Sequence, residues 1–167
     1  ADAALARELA TDPKERAENL MIVDLMRNDL SRVCVPGTVR TSDFLAVETH
    51  PHVHQLVSTV EGELRDAVDA LDAIAACFPG GSMTGAPKRR AMEILHSLEQ
   101  APRGLYAGCF GFVGAERSEL AMTIRSIELR MQADGAAALV GAGGGVTIDS
   151  DATREHEEKL LKAAPLL

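Results

Sequence analysis

Glu15 and Glu18 stand three residues apart, and Glu155 and Glu158 repeat that spacing much further along the chain. Three residues is just under one helical turn, so on helices each pair shares a face. Two such faces brought together make a pocket of carboxylates that repels itself unless a cation is present. A hard divalent ion answers that need. Mg²⁺, held by few carboxylates plus water and substrate oxygens, fits the pattern best. Lys162, seven residues after Glu155, falls on the same face. A solvated helix surface is the commoner fate of any one Glu-x-x-Glu, so spacing by itself leaves both readings open.

Other residues could handle an anion. The segment FPGGSMTGAPK, residues 78–88, is a glycine-rich loop, but Ala86-Pro87 stands where a phosphate loop requires Lys and Ser or Thr. Gly141, Gly143 and Gly145 give G-x-G-x-G, with Val146 where a dinucleotide fingerprint needs its third glycine. Both known motifs fail. What remains is two glycine-rich turns beside helix starts, where backbone N–H groups can approach a carboxylate without a Cβ in the way. Arg125 sits in the apolar run Met122-Thr123-Ile124-Arg125, where a guanidinium is costly unless it pairs with an anion, whether a structural partner or a ligand. Tyr106 is the single tyrosine and could equally be a core residue with one satisfied hydroxyl. His50, His52 and His54 alternate as residues on one strand face do, but no fourth ligand stands at zinc spacing.

Elements must position these groups. Asp12-Pro13-Lys14-Glu15 reads as a helix start with an Asp cap, Pro at the first position and an acid at the third. That helix is expected to run to about Leu30, buried on more than one side, with Asp24 inside. Residues 44–48 and 53–60 read as strands, and Leu71, Ile74, Ala75 and Phe78 as a helix. The glycine-rich loop ends at Pro87, expected as the first residue of a helix carrying Ala91, Leu95 and Leu98. Residues 105–113, 120–130 and 136–140 are expected to form a three-stranded antiparallel meander. Asp149-Ser150-Asp151 then caps a last helix.

The composition bounds the function. The chain has 167 residues, 46% apolar and 25% charged, the balance of one globular domain with a hydrophobic core. A formal charge of −8, 3% aromatics and no Trp argue against nucleic acid and anionic membranes as partners. No apolar run approaches the length of a membrane span, and the start lacks the pattern of a signal peptide, so the expected compartment is the cytoplasm. Cys34, Cys77 and Cys109 are too scattered for a metal knuckle or disulfide framework and read as reduced core thiols.

Six blocks, AENLMIVDLMRNDLSRV, HQLVST, FPGGSMTGAPKRRAMEIL, RGLYAGCFGF, MTIRS and GAGGGV-x-x-DS, resemble in type and order those of the chorismate-utilising enzymes. GGSMTGAPK and AGGG are closer to the large subunits of aminodeoxychorismate synthases than to those of anthranilate synthases. The resemblance implies an α+β fold with antiparallel sheet packed by helices. It also implies a Mg²⁺ site with Glu18 and Glu158 as direct ligands and Glu15 and Glu155 as an outer, water-mediated pair. Tyr106 and Arg125, with the amides of Gly143 and Gly145, match positions that hold the enolpyruvyl carboxylate, and Ser82 and Lys162 match further pocket positions. His52 matches a position that is His in anthranilate synthases and often smaller in the aminodeoxychorismate enzymes, and with Lys162 it is the catalytic candidate the resemblance implies among these residues.

The implied reaction replaces the C4 hydroxyl of chorismate by ammonia, giving 4-amino-4-deoxychorismate for p-aminobenzoate and folate synthesis. A glutamine amidotransferase subunit or domain would supply the ammonia. The nucleophilic Lys of a Pro-Ile-Lys-Gly-Thr motif in such enzymes is not among these residues. The expectation is therefore a C-terminal portion of the catalytic domain, inactive without its N-terminal half. Rival readings are anthranilate synthase component I, an isochorismate or salicylate synthase relative, or a non-catalytic binding module whose acids are merely solvated.

Overall fold

The computed structural model describes residues 2–133 and 135–167, which fall into two compact units, Ala1–Glu93 and Ile94–Leu167. Composition alone suggests one domain around one core. Among the described residues the buried apolar side chains are Val23, Leu25, Val33 and Cys34, all in the first unit. No described helix is long and apolar enough to cross a membrane.

The first unit opens with α1 (Asp2–Thr11) and α2 (Pro13–Ser31). The Asp12 side chain accepts from the Glu15 amide at 2.9 Å, and Pro13 follows it, so α2 starts where its cap and proline direct. The helix turns Val23, Leu25 and Asp29 inward. Asp24, expected inside, is instead exposed beside Arg27 at 3.4 Å. Five residues is about 500° of helical rotation, so Asp24 and Asp29 face different ways, and the buried acid is the one whose partners lie elsewhere in the chain.

The strands β1 (Arg40–Thr49) and β2 (His54–Glu61) pair antiparallel, with irregular register between Thr41 and Ala46. There Leu45 takes a positive φ of 54° and its amide donates to Ser58 Oγ at 2.9 Å. Ser58 Oγ donates in turn to Asn19 Oδ1 at 2.6 Å, and Asn19 Nδ2 donates to the Leu56 carbonyl at 3.0 Å. One polar chain thus fixes the bulged strand, its partner and the α2 turn that carries Glu18.

Next come α3 (Ala70–Cys77), capped by an Asp69–Asp72 capping box, and a one-turn helix α4 (Gly81–Thr84) inside what the sequence reads as plain loop. The helix α5 (Lys88–Glu99) starts one residue after the expected Pro87, whose carbonyl accepts from Ala91 N at 3.0 Å.

The expected meander is two separate hairpins. β3 (Cys109–Val113) pairs with β4 (Ser118–Met122), and β5 (Ser126–Gln132) pairs with β6 (Gly135–Gly141). Residues 120–130 look like one strand because they are apolar, but Arg125 has φ of 45°, which breaks the run. Residues 105–108 form a turn, with Gly108 N donating to Leu105 O at 3.0 Å, so the first strand begins only at Cys109. The helix α6 (Ala152–Ala163), capped by Asp151, and a short 3₁₀ turn (Ala164–Leu166) complete this unit.

Candidate active site

The second unit brings together most of the residues singled out for anion binding. Tyr106 lies in the turn before β3, with its ring against the exit of β6. A Cβ on Gly141 would fall 2.6–2.7 Å from Tyr106 ring and Cβ atoms, and one on Gly143 would fall 2.5 Å from its hydroxyl. Real Cβ atoms do not approach so closely, so both glycines are required by the ring. A Cβ on the intervening Gly144 would lie 3.4 Å from Glu155 Oε2, which puts the start of α6 at the same turn. Glu155 Oε1 accepts from Ser150 Oγ at 2.8 Å, and Ser150 Oγ accepts from Thr147 N at 3.0 Å. The carboxylate is thereby tied to the loop that leads out of the glycines.

Arg125 joins this neighbourhood through the backbone on both sides. Two residues before it, Thr123 exchanges 2.9 Å bonds with Ala107 and Gly108, next to Tyr106. One residue after it, Ser126 pairs with Gly141. Arg125 is exposed and lies outside any strand, which corrects its expected place within one. Ala107 shares its unusual backbone region, with φ of 67°. Both residues hold a positive φ without being glycine, a backbone conformation that costs energy in L residues. Thr123 is buried, and its hydroxyl has no hydrogen-bond partner among the described residues. Gly145 follows in the same loop, and Lys162 donates to Glu158 Oε1 at 2.5 Å across one turn of α6.

In the first unit Glu15 is exposed and Glu18 half-buried, both on α2. Leu25, seven residues beyond Glu18 on the same side of the helix, meets the glycine-rich loop: a Cβ on Gly81 would lie 3.0 Å from Leu25 Cβ. The next residue, Ser82, is exposed on α4. The histidines do not share a strand face, because β1 ends at Thr49 and His50 N closes the turn onto Val53 O at 2.9 Å. His52 is exposed in that turn. His50 Nε2 lies 3.4 Å from Glu48 Oε2, and His54 has Thr49 Oγ1 at 3.0 Å and Asp2 Oδ1 at 2.9 Å.

The acids suit Mg²⁺ by their chemistry. Each helix by itself offers two hard oxygen donors, and Mg²⁺ takes only one or two carboxylates and leaves its remaining positions to water and substrate. Lys162 on Glu158 shows that this carboxylate attracts a cation. Among the described residues no three His, Cys, Asp or Glu side chains form a metal-holding cluster.

Comparison with known proteins decides the family. All of residues 1–167 match the model of the chorismate binding enzymes. The chain belongs to that family.

Two chorismate-family relatives show how finely the sequence divides. Anthranilate synthase component 1 of Mycobacterium tuberculosis is 48% identical over 167 residues, covering 99% of this chain and 32% of that protein. Aminodeoxychorismate synthase component 1 of Bacillus subtilis is also 48% identical, over 163 residues, covering 97% of this chain and 34% of that protein. Among solved structures, anthranilate synthase component I from Streptococcus pneumoniae has a TM-score of 0.84 at 39% identity, covering 97% of this chain and 37% of that one. The chain spans about a third of the length of the curated relatives it matches. The mixed fold of helices and small antiparallel sheets is the one the sequence suggests.

Sequence reasoning passed over Thr123, Asn19, Ser58, Asp29 and Lys88. All five lie inside the six blocks, but the roles of Asn19, Ser58, Asp29 and Lys88 depend on partners tens of residues away, such as the 59-residue separation of Lys88 and Asp29.

Proposed function

We propose that this chain supplies the metal-binding acids and the carboxylate-binding turn of a cytoplasmic enzyme that aminates chorismate at C4. The product would be 4-amino-4-deoxychorismate, on the way to p-aminobenzoate and folate. The carrying observation is the single turn that joins Tyr106, Gly141, Gly143 and Glu155, with Arg125 held beside it by Thr123 and Ser126. Chorismate carries two carboxylates, and this turn offers an arginine fork, a phenol and loop amides for one of them.

Glu18 and Glu158 are the proposed direct Mg²⁺ ligands, with Glu15 and Glu155 acting through water. When bound, the ion supplies Lewis acidity and a template for the substrate's other carboxylate. Arg125 and the Gly143 and Gly145 amides orient the enolpyruvyl group, Tyr106 donates a hydrogen bond from its phenol to that carboxylate, and Ser82 contributes a further hydroxyl. Lys162, paired with Glu158, balances charge in the pocket. His52 is the proposed residue beside the departing C4 hydroxyl, which leaves with a proton as water. Ammonia would come from a glutamine amidotransferase subunit or domain, and the remaining catalytic groups from an N-terminal portion of the same enzyme.

A second reading, amination at C2 with loss of the C4 hydroxyl by an anthranilate synthase component I, has its own support: relatives of that name match as closely as the aminodeoxychorismate synthases. One experiment separates the possibilities. The full-length protein is mixed with chorismate, Mg²⁺ and ammonia, and the products are resolved by mass spectrometry. 4-Amino-4-deoxychorismate supports the first reading and anthranilate the second. Calorimetry accompanies it: Mg²⁺-dependent chorismate binding is expected to disappear in Glu18→Ala and in Glu158→Ala. No chorismate binding by the unaltered protein sinks both readings.

A further inference from the structure

Asp29 is an expensive residue where it stands. It lies in the last turn of α2, where the exposed helix carbonyls disfavour a negative charge, and it is only 2% exposed. Such a carboxylate persists only if cations come to it. Two do. Arg32 Nη2 lies 3.1 Å from Oδ1, and Lys88 Nζ lies 2.5 Å from Oδ2.

Lys88 does more than neutralise. Its other two protons go to the Pro79 carbonyl at 2.8 Å and the Cys77 carbonyl at 3.2 Å, so all three ammonium donors are used inside the protein. Arg32 also donates to the Ala76 carbonyl, so the C-terminus of α3, which has no basic residue in its own last turn, is capped by two cations from elsewhere. The bond from Lys88 to Pro79 closes the glycine-rich loop into a ring, since these residues lie at its two ends. Inside the ring Thr84 Oγ1 donates to the Gly81 carbonyl at 3.2 Å, and Gly81 presses on Leu25. Ser82 is left on the outside. Arg89 and Arg90, next along the sequence, have side chains that are 94% and 70% exposed, against 18% for Lys88, so the short basic run divides into one internal residue and two solvated ones.

Leu25 and Asp29 lie seven and eleven residues after Glu18, within about 20° of it around the helix. The loop is therefore indexed to the same stripe of α2 that carries the proposed metal ligand. We propose that Lys88, seated on Asp29, is the positioning residue that latches the Pro79–Lys88 loop to α2 and so sets Ser82 relative to Glu18. With no donor left over, Lys88 acts through the loop and not on the substrate. This rests on the chorismate reading for its consequence but not for its geometry.

The test uses the full-length protein and two readouts. Amide exchange at residues 80–85 reports the loop itself, and calorimetry with Mg²⁺ reports chorismate affinity. Lys88→Met is expected to speed exchange in the loop and to weaken chorismate on the order of tenfold or more, the scale set by small misplacements of binding groups. Because that variant leaves Asp29 buried and unpaired, the double variant Asp29→Leu, Lys88→Met is measured beside it. Replacing a buried pair by apolar residues commonly restores stability. The latch predicts that thermal stability returns in the double variant while loop exchange stays fast and affinity stays low. Recovery of slow exchange and affinity along with stability overturns it, as does a Lys88→Met protein whose loop exchanges at the unaltered rate. Fast loop exchange in Lys88→Met, together with an unaltered protein that never binds chorismate, sinks the chorismate reading and leaves the latch standing.

Discussion

Tyr106 sets the two glycines beside it apart from each other, and the difference can be measured. At Gly143 a new Cβ meets only the phenol oxygen, at 2.5 Å, and the next ring atom, Cζ, is 3.6 Å away. At Gly141 it meets the body of the ring and Tyr106 Cβ. Gly143→Ala is therefore expected to destabilise by about 1–3 kcal/mol, the usual range for overpacking, and to become nearly neutral when combined with Tyr106→Phe. Gly141→Ala should cost at least as much and gain nothing from Tyr106→Phe. Chemical denaturation of the two cycles checks this, and equal rescue at both positions would show that the ring moves as a whole. At the same scale, burial pushes the Cys77 thiol above its ordinary pKa, the Asp29 carboxylate adds to the effect, and Lys88 and Arg32 oppose it. Alkylation of Cys77, followed by peptide-resolved mass spectrometry, should still be accelerating at a pH where a free peptide thiol has levelled off.

Single elements show where the sequence could be read and where it could not. Asp12, Asp69 and Asp151 cap helices because a short acid before a helical run has a local task, and their amide partners lie two or three residues away. The starts of α2 and α6 were legible for that reason. The supposed meander was not, because apolar character says nothing about the positive φ at Arg125 that splits it. The Glu pairs lie on helices as their spacing implied, but burial of Asp29 over Asp24 depended on Lys88 and was invisible to periodicity. The end of α5 offers a pH test of a local pair. Arg103 donates to both carboxylate oxygens of Glu99, at 2.8 and 2.6 Å, and this holds Glu99 below the ordinary glutamate range. An acid with a depressed folded pKa stabilises at pH values above its ordinary, unfolded pKa, and that contribution is lost as pH falls through the depressed value. The pair is partly solvated, so Arg103→Ala should cost about 0.2–1 kcal/mol near neutrality. The difference from the unaltered chain should vanish once both states are protonated. Denaturation across an acid series reads it, and a difference that grows on acidification would contradict the assignment.

At the scale of the whole molecule, stability is expected to be distributed unequally. The first unit holds Val23, Leu25, Val33 and Cys34 away from water, closes Val35 N on the Glu63 carbonyl at 2.7 Å and Arg65 N on the Val33 carbonyl at 3.1 Å, and adds the Asp29–Lys88 pair. Among the described residues of the second unit the buried side chain is that of Thr123, while Phe110 and Phe112 on β3 are 64% and 52% exposed. Opening free energy follows buried apolar contact, so backbone hydrogen bonds with little apolar cover open locally and cheaply. For the 167-residue chain, hydrogen exchange should be slowest at the amides of residues 23–35 and fastest in the two hairpins, although the hairpins are regularly paired. Adding chorismate with Mg²⁺ to the full-length protein should then slow exchange around Tyr106, Gly143 and Glu155 more than in the already protected turns of α2, because a ligand changes exchange most where opening was easy. The opposite ranking in the free chain, with hairpins outlasting α2, would mean that the sheets draw their stability from something other than apolar burial. Ligand protection confined to α2 would remove the Tyr106 turn from the binding site.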